Sequence, residues 1–373
     1  MATETQPLDK SIAETAAPAG RIDYIDIAKG IGIVLVVMGH NDFALVSPFG
    51  HKLIYSFHMP MFFFLSGMFF KPDAPFWGFI RRRFERVLRP FFFTLLLIYF
   101  MTISFTKVSI IEATTRAFKA MYGNGHYLDW VQLWFLPHLF AVSLFAWIFV
   151  RAIQRTNLLR ARWLILAIIF ITGVLGISLF WPFEFNLLGK EYTIFGLPYS
   201  LDLVFVSGFF FLLGYELHQR QPIAFLKNPL TLLTSGSALI FLVWYFPYTI
   251  DLNTRQFDSL PINTIEALLG ILFILAIANQ LGRVGWLSSL FRYIGQASLV
   301  ILIFQVPIQD YWGQKILALV PNQPFSYWMS FLAGVIGPIV INALFIRPNP
   351  ILRKWFSQPA PQEKGRAEAS VFE

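Results

Sequence analysis

Long apolar runs alternate with short polar segments along the chain, and ten such runs lie between residues 22 and 346. Most are close to twenty residues long, the length that a helix needs to cross about 30 Å of hydrocarbon. Strands of a membrane barrel would give shorter segments of alternating polarity instead. The pattern predicts an all-α fold, a polytopic transmembrane bundle of about ten helices with these spans: 22–41, 54–70, 87–105, 131–150, 163–181, 194–217, 229–249, 262–281, 293–312 and 325–346.

Polar sequence flanks this apolar region at both ends. Residues 1–20 and 348–373 are rich in polar residues, Pro and Ala, and we expect both segments to be disordered tails. The apolar region shows no internal repeat of the kind that builds transporters from two related halves. We therefore interpret residues 21–347 as one membrane domain.

The basic residues predict how the bundle is oriented. With the N-terminus inside, the inner connecting segments carry roughly three times as many Lys and Arg residues as the outer ones. This bias alternates from loop to loop, which would not happen if one span were missed or added in the middle. We expect both termini to lie in the cytoplasm.

Composition agrees with a membrane protein. Of the 373 residues, 56% are hydrophobic and 13% are charged, and the mean hydropathy is +0.60. Soluble domains have a charged fraction near 25%. The net charge of +8 could suggest nucleic acid binding, but in a membrane protein the positions of basic residues matter more than their sum, and no nucleic acid partner is expected. The absence of Cys excludes disulfides and thiolate chemistry.

Ionisable residues inside the spans are costly, and they usually face a cavity or each other. Lys29 and His40 in the first span are eleven residues apart, which places them on one helix face, roughly 16 Å apart along the axis. They could line one channel from opposite ends. The alternatives are that Lys29 extends to the inner interface beside Asp26, and that His40 is an interfacial residue.

A second histidine is expected near the first. The second span runs in the opposite direction, so His58 at its start should lie at the depth of His40. Two such imidazoles could form a proton relay. A metal site with Asp42 as third ligand is the alternative, but no ligand-spacing motif supports it, and no metal is predicted.

Further polar residues extend the candidate site. Five Arg residues fall within nine positions, more than a topology signal needs: Arg81, Arg82, Arg83, Arg86 and Arg89. They could bind a polyanion. The alternatives are that they only mark the inner face of the membrane or bind anionic lipid. We also expect these residues to line a cavity between helices: Asp26, Asp42, Trp134, Asp202, Glu266 and Gln305.

Several of these residues lie in motifs that resemble the acyltransferase 3 family of membrane O-acyltransferases, in particular its branch of fucose 4-O-acetyltransferase-like proteins. The motifs are, in order, YIDIAKG at 24–30, GH at 39–40, SFHMP at 56–60, FFFLSG at 62–67, the basic run 81–89, LWFL at 133–136, FFFLLGY at 209–215 and IGQASL at 294–299. The hallmark of the family is an Arg eleven residues before a His. Here Lys29 takes the Arg position, as is usual in this branch, and Gln305 stands about where many relatives have His.

The resemblance implies an enzyme that transfers an acyl group, most often acetyl, from cytoplasmic acyl-CoA to a glycan hydroxyl, as in exopolysaccharide biosynthesis. For that activity we interpret His40 as the general base, with His58 orienting it or sharing the proton, and expect Lys29 and the Arg run to bind the donor. Acyl-CoA would be a substrate rather than a tightly bound cofactor, and the partners would be the glycan and the lipid of a bacterial inner membrane. The alternative function is a transporter or flippase for a lipid-linked saccharide.

Overall fold

The computed structural model describes residues 23–40, 42–156, 158–220 and 223–356. Helices dominate this part of the chain. In order, they are α1 Asp23–Gly39, α2 Phe43–Val46, α3 Pro48–Tyr55, α4 His58–Met68, α5 Phe76–Arg83, α6 Arg89–Phe105, α7 Ile110–Ala120, α8 Phe135–Arg155, α9 Arg162–Phe180, α10 Val204–Arg220, α11 Ile223–Leu226, α12 Pro229–Tyr245, α13 Leu260–Leu281, α14 Gly285–Gln296, α15 Ser298–Leu319, α16 Gln323–Ile341 and α17 Pro350–Trp355.

Short irregular turns and two small hairpins complete the fold. Residues 84–88 and 342–346 form π-helical turns, and residues 125–127, 131–134 and 198–203 form 3₁₀ turns. Strands β1 Phe183–Leu187 and β2 Lys190–Ile194 pair antiparallel, as do β3 Ile250–Asp251 and β4 Gln256–Phe257. The all-α prediction omitted both hairpins because they lie in polar segments between spans, where the apolar pattern carries no information.

The protein is a multi-pass helical membrane protein. Among the described residues, six helices are long and apolar enough to cross a membrane, or seven if the bent pair α14–α15 counts as one span. Each of the ten predicted runs contains a helix, but α1, α4 and α12 have only 17, 11 and 17 residues. The count of ten spans and the cytoplasmic position of the termini therefore stay predictions.

Aromatic and aliphatic side chains are divided between the interior and the outer surface of the bundle. Phe63, Phe91, Phe210 and Phe211 are fully buried, whereas many large apolar side chains are exposed on the longest helices. In water such a surface would cause aggregation, but in lipid it is the expected outer face of a bundle. The Phe-rich motifs therefore form much of the core around α4 and α10.

Two close helix crossings hold α1 and α4 in place. A Cβ atom on Gly30 would collide with the backbone of Phe291, and one on Gly295 would collide with the backbone of Asp26, so α1 and α14 cross there in direct backbone contact. Small residues allow this approach, and in a bilayer close packing is a main source of helix association.

The second crossing joins α4 to α10 through another pair of glycines. A Cβ on Gly67 would meet the carbonyl of Phe211, and one on Gly214 would meet the carbonyl of Phe64. All four glycines lie in the motifs identified in the sequence. Their role is therefore to bring two helix pairs together around the space between α1 and α4.

The ends of the chain differ in part from expectation. The predicted tail 1–20 lies outside the described residues. The predicted tail 348–373 begins with helix α17 instead, whose Trp355 stacks on Phe93 of α6 with ring centroids 5.1 Å apart. Ordered structure therefore extends past residue 347, because aromatic packing on α6 holds this segment. Residues 357–373 lie outside the described residues.

Candidate active site

A cavity of about 480 Å³ lies inside the bundle, largely between α1 and α4. This volume falls in the range of small-molecule sites. Its lining follows α1 from Asp26 to His40, and fourteen helical residues correspond to about 21 Å of axis. The cavity is therefore an elongated passage along the helix, and the groups at its two ends differ in chemistry.

One end of the cavity is lined by charged residues. Asp26 and Lys29 of α1 line it together with Arg86. The Lys29 ammonium also lies 4.0 Å from the centre of the Phe69 ring, a cation–π contact that keeps the side chain next to the cavity. The structure thus places Lys29 on the cavity wall, as its spacing from His40 predicted. We call this the cationic end.

The five arginines of the basic run have separate surroundings. Arg86 lines the cavity, and it lies in the π-helical turn 84–88, a type of helix distortion that often occurs at functional sites. Arg83 instead packs 5.8 to 6.0 Å from the rings of Phe70, Phe79 and Phe211. Arg81 pairs with Glu85 at 3.1 Å, Arg82 is exposed, and Arg89 is partly buried at the start of α6.

The ninth predicted span is bent sharply, and the bend lies at the cationic end. The run 293–312 was predicted as part of one continuous helix, but α14 and α15 meet at Ala297 with an angle of 76°. Residues on both sides of the break, Gly295, Gln296, Ser298 and Leu299, line the cavity. Because Gly295 also touches the backbone of Asp26, α15 begins at the cationic end, and the first N–H groups of a helix have no acceptor within that helix.

Two imidazoles line the opposite end of the cavity. His40 Nδ1 donates to the carbonyl of Val36 at 2.6 Å, and His58 Nδ1 donates to the carbonyl of Ile54 at 3.1 Å. A carbonyl oxygen can only accept, so these bonds place the proton of each neutral ring on Nδ1. Nε2 of each ring then carries a lone pair. We call this the imidazole end.

A third histidine and a tyrosine stand next to this pair. The Tyr55 ring lies 4.6 Å from that of His58 and 4.0 Å from that of His51, measured between centroids. Burial lowers the pKa of His51, the Asp251 carboxylate opposes this by raising it, and His40 adds to the lowering. The Tyr55 ring at the imidazole end therefore contacts the rings of both His51 and His58, with the Asp251 carboxylate in electrostatic range of His51.

The structure adds residues that the sequence analysis did not identify. Asp251 and Asn253, on the β3–β4 hairpin, line the imidazole end, and Gln132, which donates through Nε2 to the carbonyl of Ile303 at 2.9 Å, lines the wall between the ends. They come from segments more than sixty residues from α1 and α4. For Asp251 and Asn253 the only signal was a polar stretch between two apolar runs, which many loops share, and Gln132 was a single polar residue at the start of an apolar run.

The residues expected to line a cavity divide into two groups. Asp26 and Trp134 do line it, and the Trp134 ring stacks on His138 with centroids 5.5 Å apart. The remaining four are described but are absent from the cavity wall, because each bonds elsewhere: Asp42 with Gln323 at 2.6 Å, Asp202 with Arg255 at 2.9 Å, Glu266 with Asn263 at 3.0 Å and Gln305 with Gln309 at 2.6 Å.

The arrangement of the His, Asp and Glu side chains shows whether the cavity offers a set of metal ligands. Within the described ranges, no group of three or more His, Cys, Asp or Glu side chains is arranged to hold a metal ion. Asp42, the third ligand considered with the two histidines, is exposed and accepts a hydrogen bond from Gln323.

Comparison with known proteins identifies the family. The model of the acyltransferase 3 family, described as an acyltransferase domain, matches residues 22–347, which include every helix around the cavity. No curated protein and no solved structure matches the chain. Because one family model covers most of the sequence, the chain belongs to the acyltransferase 3 family and is a membrane acyltransferase.

Proposed function

We propose that the protein transfers an acyl group, acetyl in the first instance, from cytoplasmic acyl-CoA to a hydroxyl of a cell-surface or lipid-linked glycan. The observation that carries the proposal is the single cavity with cations at one end and imidazoles at the other. Its length along α1 is comparable to that of an extended pantetheine arm. A donor bound by its phosphates at the cationic end would bring its thioester to the imidazole end.

Donor binding would use three kinds of positive group. Lys29 and Arg86 supply full charges, and the start of α15 supplies N–H groups at the positive end of a helix dipole. Charge-assisted hydrogen bonds and helix N-termini are common phosphate-binding devices. Arg82, exposed beside them, would add long-range attraction for the polyanion. This arrangement would put the donor on the side where the basic residues concentrate, the proposed cytoplasmic face.

His40 would act as the general base. Its Nε2 lone pair takes the proton of the acceptor hydroxyl while the hydroxyl oxygen attacks the thioester carbonyl carbon. The tetrahedral intermediate then expels the CoA thiolate, which takes the proton from Nε2. A new ester bond replaces the thioester bond, and the Nδ1 bond to Val36 keeps the ring oriented through both steps. His58, held likewise through Ile54, would orient the hydroxyl or share the proton.

The remaining parts of the proposal concern location and acceptor. The imidazole end would open toward the outer face of a bacterial inner membrane, with both termini in the cytoplasm. Membrane lipid would surround the exposed apolar helices. A surface polysaccharide, such as an exopolysaccharide, or its lipid-linked precursor would provide the hydroxyl.

The test is release of free thiol from acetyl-CoA by the purified protein with glycan acceptor present. Replacing the base, His40→Gln, should lower the rate of thiol release by about 10²–10⁴-fold, because a positioned general base usually accelerates a reaction by that factor. The control is His218→Gln on α10, away from the cavity wall. Wild-type rates in the His40 variant would overturn the role of His40, and a wild-type protein that consumes no thioester would overturn the proposed donor.

A further inference from the structure

The β3–β4 hairpin forms one wall of the imidazole end. Ile250 and Leu252 are almost completely buried in the core, and Asp251 between them is only partly buried. Successive residues of an extended strand point to opposite sides. Burial of the two apolar neighbours therefore turns Asp251 toward the cavity, and Asn253, two residues further on, lines the cavity as well.

A buried ion pair holds this hairpin in place. The side chains of Arg255 and Asp202 are only 4% and 5% exposed, and the guanidinium donates to the two carboxylate oxygens at 2.9 and 3.3 Å. It also donates to the Asn253 carbonyl at 2.6 Å and to the Ser200 hydroxyl at 3.2 Å. Because these contacts join the hairpin to the segment before α10, the position of Asp251 is set by the core and not by a mobile loop.

The polar groups on the hairpin are only partly used within the protein. Asp251 Oδ1 accepts from the backbone N–H groups of Asn253 and Thr254 at 2.9 and 3.4 Å, while no donor among the described residues reaches Oδ2. Asn253 Oδ1 is buried against Gly125, so only the Nδ2 group of this side chain is left for a ligand in the cavity. The Tyr55 ring lines the same cavity.

These groups match the chemistry of a saccharide. A carboxylate oxygen accepts from one hydroxyl, an amide Nδ2 donates to a neighbouring hydroxyl, and an aromatic ring packs on the apolar face of a pyranose. We infer that Asp251, Asn253 and Tyr55 form the acceptor subsite and bind a hexopyranose so that one hydroxyl points at His40. The inference rests on the proposed function and assigns the acceptor class and its binding residues.

The test compares transfer with hydrolysis in one assay. Acetyl-CoA is the donor, a series of methyl hexopyranosides are the probe acceptors, and water is the competing acceptor. The variant Asp251→Asn removes the charge but keeps an oxygen for the Asn253 N–H. We expect a rise of about 10- to 100-fold in the KM for the glycoside, the usual cost of losing a charged hydrogen bond, and a matching fall in the ratio of ester formed to acetate released.

The matched control is Asp258→Asn on the same hairpin. Asp258 is exposed, accepts from the N–H and hydroxyl of Thr249, and is absent from the cavity wall, so this variant should keep the wild-type ratio. A wild-type ratio in Asp251→Asn, or an equal loss of transfer and hydrolysis, would overturn the inference. So would a wild-type protein that hydrolyses acetyl-CoA but acetylates no glycoside. A protein that consumes no acetyl-CoA would instead overturn the proposed function.

Discussion

At the scale of single residues, two histidines and two cations carry most of the chemistry of the cavity. For Lys29, His40 and His58, the residue types and spacing along α1 and at the start of α4 led to the prediction that they could line one passage, whereas Arg86 was one of five equivalent arginines. The chain could not indicate which nitrogen of each imidazole bears the proton, because the bonds to Val36 and Ile54 depend on how the helix ends are shaped. Those bonds make both rings ready to accept a proton at Nε2.

Arg86 should contribute to donor affinity more than its neighbours do. Arg86→Gln removes a charge from the cavity wall. The KM for acetyl-CoA should rise by about 10-fold, because losing one charge-assisted hydrogen bond weakens binding by about that factor. The KM for acetyl-pantetheine, which lacks all the phosphates of CoA, should change little.

The control for Arg86 is Arg82→Gln in the same run. Both side chains are exposed, but Arg82 is absent from the cavity wall. Arg82→Gln should alter the KM for acetyl-CoA only at low salt, because the attraction of a charge that does not contact the donor is screened within about 10 Å at 0.1 M. Equal effects of the two substitutions on acetyl-CoA at physiological salt would mean that the whole run binds the donor, as the sequence analysis proposed.

The Arg255–Asp202 pair should be the more important of two ion pairs for stability. Asp202→Ala leaves a buried guanidinium without its carboxylate, which typically costs about 3–5 kcal/mol. Glu112→Ala breaks the Arg116–Glu112 pair, whose side chains are about half exposed, and should cost at most about 0.5 kcal/mol. Thermal unfolding of the two variants in the same detergent measures the difference, and equal unfolding temperatures would contradict it.

At the scale of elements, the apolar runs predicted where helices lie but not where a helix bends. Residues 293–312 form a single apolar run, yet the backbone turns by 76° at Ala297 because Gly295 must touch α1 while α15 continues along the cavity. The π-helical turn before α6 is a similar case. Both distortions lie in motifs identified from the sequence, and both place polar groups at the cationic end.

The crossing of α4 and α10 should be sensitive to one methyl group. Gly214→Ala places a Cβ against the backbone carbonyl of Phe64, which cannot move away as a flexible side chain could. We expect a loss of about 1–3 kcal/mol in the free energy of unfolding, the usual cost of overpacking.

A glycine with free space serves as the control for this crossing. Gly176→Ala in α9 meets nothing within 4 Å, so it should leave stability unchanged or raise it by up to about 1 kcal/mol. Unfolding in the same detergent, with thiol release measured beside it, compares the two variants. A Gly214 variant as stable as the Gly176 variant would show that the helices are not in contact there.

At the scale of the whole molecule, the orientation predicted from basic residues can be measured directly. The chain has no Cys, so single cysteines can be placed without background. Leu188→Cys in the exposed β1–β2 turn should react with an impermeant maleimide on intact cells. Asp73→Cys, exposed between α4 and α5, should react only after the membrane is opened. Labelling of both sites on intact cells would contradict the predicted topology.

The sequence alone determined that this is a helical membrane protein and where most of its long helices lie, and it suggested that Lys29, His40 and His58 line one cavity. It could do so because hydrophobic length and helical spacing are local properties of the chain. Tertiary structure decided which arginine reaches the cavity, where the ninth span bends, and that Asp251 and Asn253 close the imidazole end. These depend on contacts between segments far apart in sequence, and no local pattern encodes such contacts.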